Sequence, residues 1–403
     1  MRFGLSKVPS IDAQSSLRMF ASGNGSTFNE NTNEIRIAVS ASDGFLDVSK
    51  SYLQFTIANT HGANAFALGA DATCWIDQLR VESNGQLLER IDRADLWSSL
   101  SNKWNSSFSK VQSRHVKSGG PLFAVSMATE GATIAHGASL ECCIPLPAGI
   151  FKSSNGRAIP QGANFDIIIR CKTGVSAFVW AAATAVPAYE IRNPRFYCPQ
   201  FRLGNPAAQQ EYNAVVANLG VAWTGRTVKT YIGSMTDQAQ LQTIQINDRS
   251  QSLVALVAVA RLSATLINAE GNKLQTVPEQ ATQLMYRIDG RQYPPDMLTC
   301  AAATDFARVY EECQRAMAPD GEDYSSPNIN VEDFTARSWA FGIDVRHFSD
   351  EKLALCGLNT AASASPSVLE WQKGAAGAAS DVTVFAICDA RYMFKNGQLS
   401  VTV

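Results

Sequence analysis

The chain has 403 residues, of which 46% are hydrophobic and 17% charged, with a formal net charge of −2. That length exceeds what one ordinary core fills, so two domains are expected, and the apolar content excludes a disordered chain. The near-neutral balance argues against a protein that coats nucleic acid by neutralising its phosphates.

Nine cysteines are scattered without a repeating spacing or a CxxC pair, so they read as reduced, mostly buried thiols rather than a disulfide framework. The opening MRFGLSKVPSIDAQSS has no apolar run of the signal-peptide kind. The longest strongly apolar run, Leu253 to Ala260, falls far short of the roughly 20 residues that span a bilayer. A soluble chain is expected, and the glycosylation-like Asn24-Gly-Ser and Asn105-Ser-Ser are read as chance matches.

Residues 1–33 are rich in Ser, Asn and Gly and read as a flexible N-terminal arm. Within it Arg2, Lys7 and Arg18, set against Asp12, leave a small positive balance; contact with anionic lipid or genome and a plain solubilising tail suit it equally. Strands follow. Ile35, Ile37 and Val39 alternate with polar or small residues, as do Leu53, Phe55 and Ile57. In CWIDQLRVESNGQLLERI a strand carries Trp75, Leu79 and Val81, the pair Asn84-Gly85 suits a type I′ turn, and a return strand runs Leu87 to Ile91. A short helix is predicted next, with Asp92 as N-cap and Leu96, Trp97, Leu100 and Trp104 as its apolar stripe. Strands at Leu140–Leu146, at Phe165 to Cys171 and near Tyr189–Phe201 complete a first sandwich over 34–204.

Residues 205–238 are predicted to form a bridging helical segment. Asn205 can cap it, Pro206 suits the first turn, Gly220 can close it, and Tyr212, Val215, Val216 and Leu219 form one stripe for the seam between two sandwiches. Residues 239–403 repeat the first order: strand, Asp289-Gly290 turn, strand, a helix with Phe306, Val309, Tyr310, Cys313 and Met317 on one stripe, then strands at Trp339–Val345, Val382–Cys388 and, after Asn396-Gly397, Leu399 to Val403. Gly85 and Gly290 lie 205 positions apart, and Leu96 and Phe306 lie 210 apart, which marks a duplication. Helices are too few for a parallel sheet. The expected fold class is all-β: two tandem eight-stranded antiparallel sandwiches with a few short helices in loops and at the seam.

No GxSxG, HExxH or phosphate-cradling GxxxxGK[ST] occurs. His61, His115, His136 and His347 have no metal-ligand spacing. Glu311–Glu312, and Asp344 near Asp350, are better read as solvated carboxylates than as an acid–base pair. Asp320, Glu322 and Asp323 lack the ligand spacing and closing Glu of a calcium loop, so a surface turn is preferred. Trp75, Trp97, Trp104, Trp180, Trp223, Trp339 and Trp371 fall mostly on apolar stripes and read as core rather than a sugar-binding groove. No catalytic, cofactor-binding or metal-binding residue is assigned, and no cofactor.

From residue 35 to the end the chain resembles the double jelly-roll major capsid proteins of tailless icosahedral DNA viruses. IDQLRVESNGQLLERIDRADLWSSL is similar to the strand, turn and helix of that family's first barrel, and YEIRNPRFYCPQFRLGNPAAQQEYNAV to its last strand and bridge. YRIDGRQYPPDM followed by FARVYEECQRA is similar to the second barrel's hairpin and helix. SWAFGIDVRHFSDEKLALCGLNTAASASPSVLEW resembles its strand and Gly-x-Asn loop, here Gly357 and Asn359, and VTVFAICDARYMFKNGQLSVTV its final strands. Some larger relatives place Pro-Ser-Gly before that Asn, where this chain has Ala354-Leu-Cys356, and the short loops leave little room for surface towers.

The resemblance implies a major capsid protein, not an enzyme, that forms a homotrimeric, pseudo-hexagonal capsomer of an icosahedral virion shell after folding inside the host cell. Its partners would be itself, neighbouring capsomers, and minor and vertex capsid proteins. An internal membrane, reached through the arm, is a further candidate partner, and no specific nucleic-acid binding is expected. Two rival readings stay open: a minor or vertex capsid protein of the same virus, or a two-jelly-roll glycan-binding or glycan-cleaving protein, which would cluster carboxylates or tryptophans in one groove.

Overall fold

Asn84-Gly85, Asp289-Gly290 and Asn396-Gly397 all hold positive φ at both positions (50° and 79°, 49° and 75°, 53° and 76°) in the computed structural model. Each closes a tight hairpin whose twist matches its strands, as Asx-Gly pairs favour. The structure describes residues 14–403 except 106, 108–112, 114–115, 121–130, 153–157, 182–184, 205, 301–304, 319–323, 328, 348–354 and 364.

The first half supplies β1 (Gln14–Ala21), β2 (Glu34–Ser40), β3 (Tyr52–Asn59), β4 (Ile76–Ser83), β5 (Gln86–Asp92), β6 (Ser139–Ile144), β7 (Asn164–Cys171) and β8 (Tyr189–Arg202). The second supplies β9 (Val221–Met235), β10 (Leu241–Ile246), β11 (Leu253–Leu262), β12 (Ala281–Ile288), β13 (Arg291–Thr299), β14 (Phe341–Asp344), β15 (Ser367–Lys373) and β16 (Ser380–Lys395). The first half stacks a sheet ordered β1-β8-β3-β6 on one ordered β2-β7-β4-β5; the second stacks β9-β16-β11-β14 on β10-β15-β12-β13. Adding eight to every label of the first pair reproduces the second pair. The fold is therefore all-β, two jelly rolls of the same strand order, and these sixteen strands pair antiparallel with one another. Short strands at Thr27–Phe28 and Phe45–Leu46 extend β8, and β17 (Gln398–Thr402) extends β16.

Alternation does what the sequence predicts. Ile35, Ile37 and Val39 of β2 point inward and are essentially fully buried, while their neighbours face out. In the second sandwich Tyr286 of β12 joins the two sheets: its ring stacks on Phe341 of β14 at 4.7 Å, and its hydroxyl donates to the Phe341 carbonyl at 3.0 Å.

Four expectations need correction. Gln14–Ala21 is a strand, not arm: it pairs along β8 from Gln14↔Arg202 to Ala21↔Arg195, so the first jelly roll begins about twenty residues before 34. The helix α2 (Pro206–Leu219) ends at Gly220, whose φ of 74° suits glycine; residues 221–235 are then strand β9, fully paired to β16, so only α2 bridges. On that helix Tyr212 sits edge-on to Phe45 at 4.8 Å and Val216 is buried, but Leu219 is 66% exposed and leaves the stripe. The helix α1 (Ala94–Trp104) is preceded by Arg93 in the left-handed region, and no side chain caps it; Asp92 is instead the end of β5, bonded to Gln78 and Arg90. Asn205, the expected cap of α2, lies outside the described residues. The second half's helices between β13 and β14 are α3 (Ala307–Ala316) and α4 (Val331–Ala336), the latter capped by Asn330, which accepts from Asp333 N at 2.7 Å.

Candidate functional site: the seam between the two halves

One apolar cluster runs through both sandwiches without a break. The side edge of the first jelly roll (β5, α1 and the one-turn helix Gly149–Lys152) lies on the outer face of the second jelly roll's β9-β16-β11-β14 sheet. Trp97 of α1 meets Phe385 of β16 with ring centres 5.1 Å apart, and Trp104 meets Tyr310 of α3 at 5.2 Å and Phe334 of α4 at 6.0 Å. Helices joining matching strand pairs thus touch, which places the same ends of the two sandwiches side by side. Thr230 of β9 donates to the Asp92 carbonyl at 3.0 Å.

Backbone also meets backbone across the seam: the Trp180 amide donates to the Ala269 carbonyl at 2.9 Å, and Gly149 packs directly on β9. A Cβ on Gly149 would stand 1.4 Å from the carbonyl oxygen of Arg226 in β9, so only glycine fits. Beside it the buried Glu89 carboxylate accepts from the Gly149 and Ile150 amides at 2.9 and 3.3 Å. Burial pushes that carboxyl's pKa up, and the amide bonds only partly offset it.

Charges lock the same seam. Arg93 makes a forked contact with Asp381 of β16, one arm at 2.9 Å, and reaches the Thr383 hydroxyl at 2.7 Å. Arg261 of β11 approaches Asp381 from the other side at 2.7 Å. Burial alone would raise the Asp381 carboxyl; the two guanidiniums hold it below the usual carboxylate range. The left-handed Arg93 backbone is what aims its guanidinium across the seam, and Lys172 and Asp95 form a second, buried pair behind it. A polar cleft of about 570 Å³ opens here, its lining including Arg93, Arg261, Asp381, Asp77, Glu30 and Arg170.

The residues weighed in the sequence for chemistry are mostly kept apart. His136 Nδ1 lies 2.6 Å from the His61 carbonyl oxygen, so these two meet, but His347 is elsewhere, its amide bonded to Cys356, and His115 lies outside the described residues. Among the described residues no group of three or more His, Cys, Asp or Glu is placed to hold a metal ion. Glu311 pairs with Arg315, Asp344 with Arg346; Asp350, Asp320, Glu322 and Asp323 lie outside the described residues. All seven tryptophans are buried. All nine cysteines are free thiols, seven of them buried, and burial pushes Cys142, Cys171, Cys198, Cys300 and Cys388 up to about 12. Arg18 of the supposed arm is held by Asp43 at 2.7 Å; Arg2 and Lys7 lie outside the described residues. Among the described residues no helix is long and apolar enough to cross a membrane.

Sequence reasoning missed Gly149, Arg93, Arg261 and Asp381. A signal existed for one of them: Arg261 ends the apolar run from Leu253, and an arginine there calls for a buried carboxylate.

No protein-family model matches this chain, and no curated protein matches it. Solved structures do. PBCV-1 VP54, whose crystal structure was fitted into a cryo-EM reconstruction of the virophage Sputnik, is similar over 97% of this chain and 97% of its own, with a TM-score of 0.67 and 10% identity. The Faustovirus major capsid protein is similar over 94% of this chain and 90% of its own (TM-score 0.63, 10% identity), and a chain of the Sputnik virophage over 97% and 88% (TM-score 0.56, 11% identity). At such identities the likeness is one of fold: the chain has the double jelly-roll fold found in viral major capsid proteins.

Proposed function

We propose that this chain is the major capsid protein of an icosahedral DNA virus, and that three copies form a pseudo-hexagonal capsomer. The observation that carries this reading is the seam: two jelly rolls of identical strand order, locked side by side with the same ends together. Two rigid, near-equivalent blocks per chain give three chains six block positions around an axis. A lattice then needs one gene product. Backbone contact at Gly149 and the Arg93–Asp381–Arg261 lock support rigidity, since a hinged pair would not hold the geometry. On this reading the protein resides in the virion, after folding in the host cell. Its partners are itself, neighbouring capsomers, and minor and vertex proteins, with the N-terminal arm as the candidate contact to an internal membrane. It acts by geometry rather than catalysis.

The test is light scattering on the purified full-length chain, followed by electron microscopy. Particles of three chain masses with a hexagonal outline are expected. A stable monomer or a pentamer would argue for a different role, the pentamer for a vertex protein of the same shell.

A further inference from the structure

The cleft at the seam holds charge that the chain's own contacts do not use. It straddles the two halves: Arg93, Asp77 and Arg170 reach it from the first jelly roll, Arg261 and Asp381 from the second. Its volume of about 570 Å³ lies in the range of sites that enclose small molecules. The walls are mostly polar, with no aromatic ring among the described lining residues. A ligand seated there must be polar as well.

Several of its charges are already matched. Arg93 and Arg261 share Asp381, Lys172 pairs with Asp95, and Glu30 accepts from the Gly174 amide at 3.1 Å. Three groups are left over. Arg261, though only 5% exposed, keeps an Nε–H with no acceptor among the described residues. One carboxylate between two guanidiniums leaves a positive excess; burial first, then the Arg93 charge, pulls the Arg261 pKa down. Arg170 of β7 is exposed and has no partner among the described residues, since its ladder neighbour Glu34 is held by Arg80 at 3.2 Å. Asp77 of β4 is half-buried and also lacks a partner among them. The β7–β4 register shifts between Arg170↔Gln78 and Cys171↔Ile76, so Asp77 is the extra residue of a bulge, a device that re-aims a side chain.

We propose that this cleft binds a phosphate group across the seam, and that Asp77 selects phosphate over sulfate. Arg170, in the positive field of the Arg93–Arg261 pair, supplies the forked donors that match phosphate oxygens. Ser176, Ser234 and Ser263 add hydroxyls from both halves. A free carboxylate beside such donors repels most oxyanions. Phosphate is the exception at neutral pH, because it keeps a P–O–H that donates to the carboxylate, whereas sulfate has no proton to give. The mixed charge of the walls, which suits neither a bare anion nor a cation, suits a protonated phosphate. The group recognised is the same whether it arrives as the free anion or on a small ester.

The experiment is calorimetric titration of the full-length chain at neutral pH and matched ionic strength with inorganic phosphate, sulfate and glycerol 1-phosphate. Sulfate is the control because both inorganic anions also stabilise proteins by exclusion from their surface. Phosphate should bind the wild type at least about tenfold more tightly than sulfate. R170Q should lose at least about tenfold in phosphate affinity, and D77N should bring sulfate to within about threefold of phosphate. Far-ultraviolet circular dichroism checks that both variants are folded. Glycerol 1-phosphate, whose P–O–H is largely ionised at neutral pH, separates the two sources of the group. Either result supports the site: tighter binding than phosphate assigns an ester, and weaker binding assigns the free anion. A wild-type chain that responds alike to phosphate and sulfate, or a folded R170Q that binds phosphate as the wild type does, overturns the site. A preference for phosphate that survives in D77N overturns the role of Asp77.

Discussion

Strands β3 and β11 hold the same place in their jelly rolls, yet one reads YLQFTIAN and the other LVALVAVARL. The first alternates because one face packs inward and the other looks outward. The second is apolar from Leu253 to Ala260 because both faces are covered, one by its own sandwich and the other by a neighbour. The pair shows that hydrophobic pattern reports burial in the finished assembly of elements, not strand identity. A duplicated fold can keep its topology while one copy's outer face becomes core.

The most severe way to break the asymmetry is Gly149→Val. With Arg226's carbonyl already where a Cβ would go, the seam cannot close, and we expect a loss of more than about 4 kcal/mol, seen as two separated transitions or loss of soluble protein in urea titration. Trp97→Ala should cost about 3–5 kcal/mol, since it empties the space against Phe385. On the matching open face Tyr52→Ala should cost only about 1 kcal/mol, the worth of its stacking on Tyr197. Equal losses for the two would refute the covered-versus-open distinction.

Asp381→Asn leaves two guanidiniums facing each other and should cost about 3 kcal/mol at pH 7, the low end for a buried pair because some solvent reaches Arg93. Because the folded-state pKa of Asp381 lies below its ordinary 3.8, its contribution is complete above that range and is lost as pH falls through the lowered value. Guanidinium unfolding of wild type and D381N should therefore diverge at neutral pH and converge in acid. The finest test is a swap. Val257→Gln gives the covered strand the polar residue of the open one and should cost about 1–3 kcal/mol, whereas Gln54→Val should change monomer stability by no more than about 0.5 kcal/mol.

Much of this architecture was legible before any coordinates. The three Asx-Gly turns, the period-two strands and the roughly 205-residue repeat each have a local physical cause, so local reading finds them. The run from Leu253 to Ala260 even carried the two-sided burial. Strand β1 escaped because its exposed apolar residues, Leu17 and Met19, point outward while Arg18 takes an inward position, which inverts the usual pattern and leaves a segment that looks structureless. Strand β9 escaped because its outer face is covered only in part, which blurs its alternation. The lock at Asp381 was beyond reach for another reason: Arg93 is selected by a carboxylate 288 positions away, and nothing in its neighbourhood announces that partner.

The bridging helix has a consequence for assembly. A 14-residue helix is a strut about 21 Å long, with no slack to let the second barrel wander. Trading barrels between chains would require that strut to melt and the ionic seam to open together. Domain swapping, a hazard for any protein made of two near-identical units at high concentration, is thus penalised by the tether itself, and each polypeptide joins the lattice as one indivisible tile.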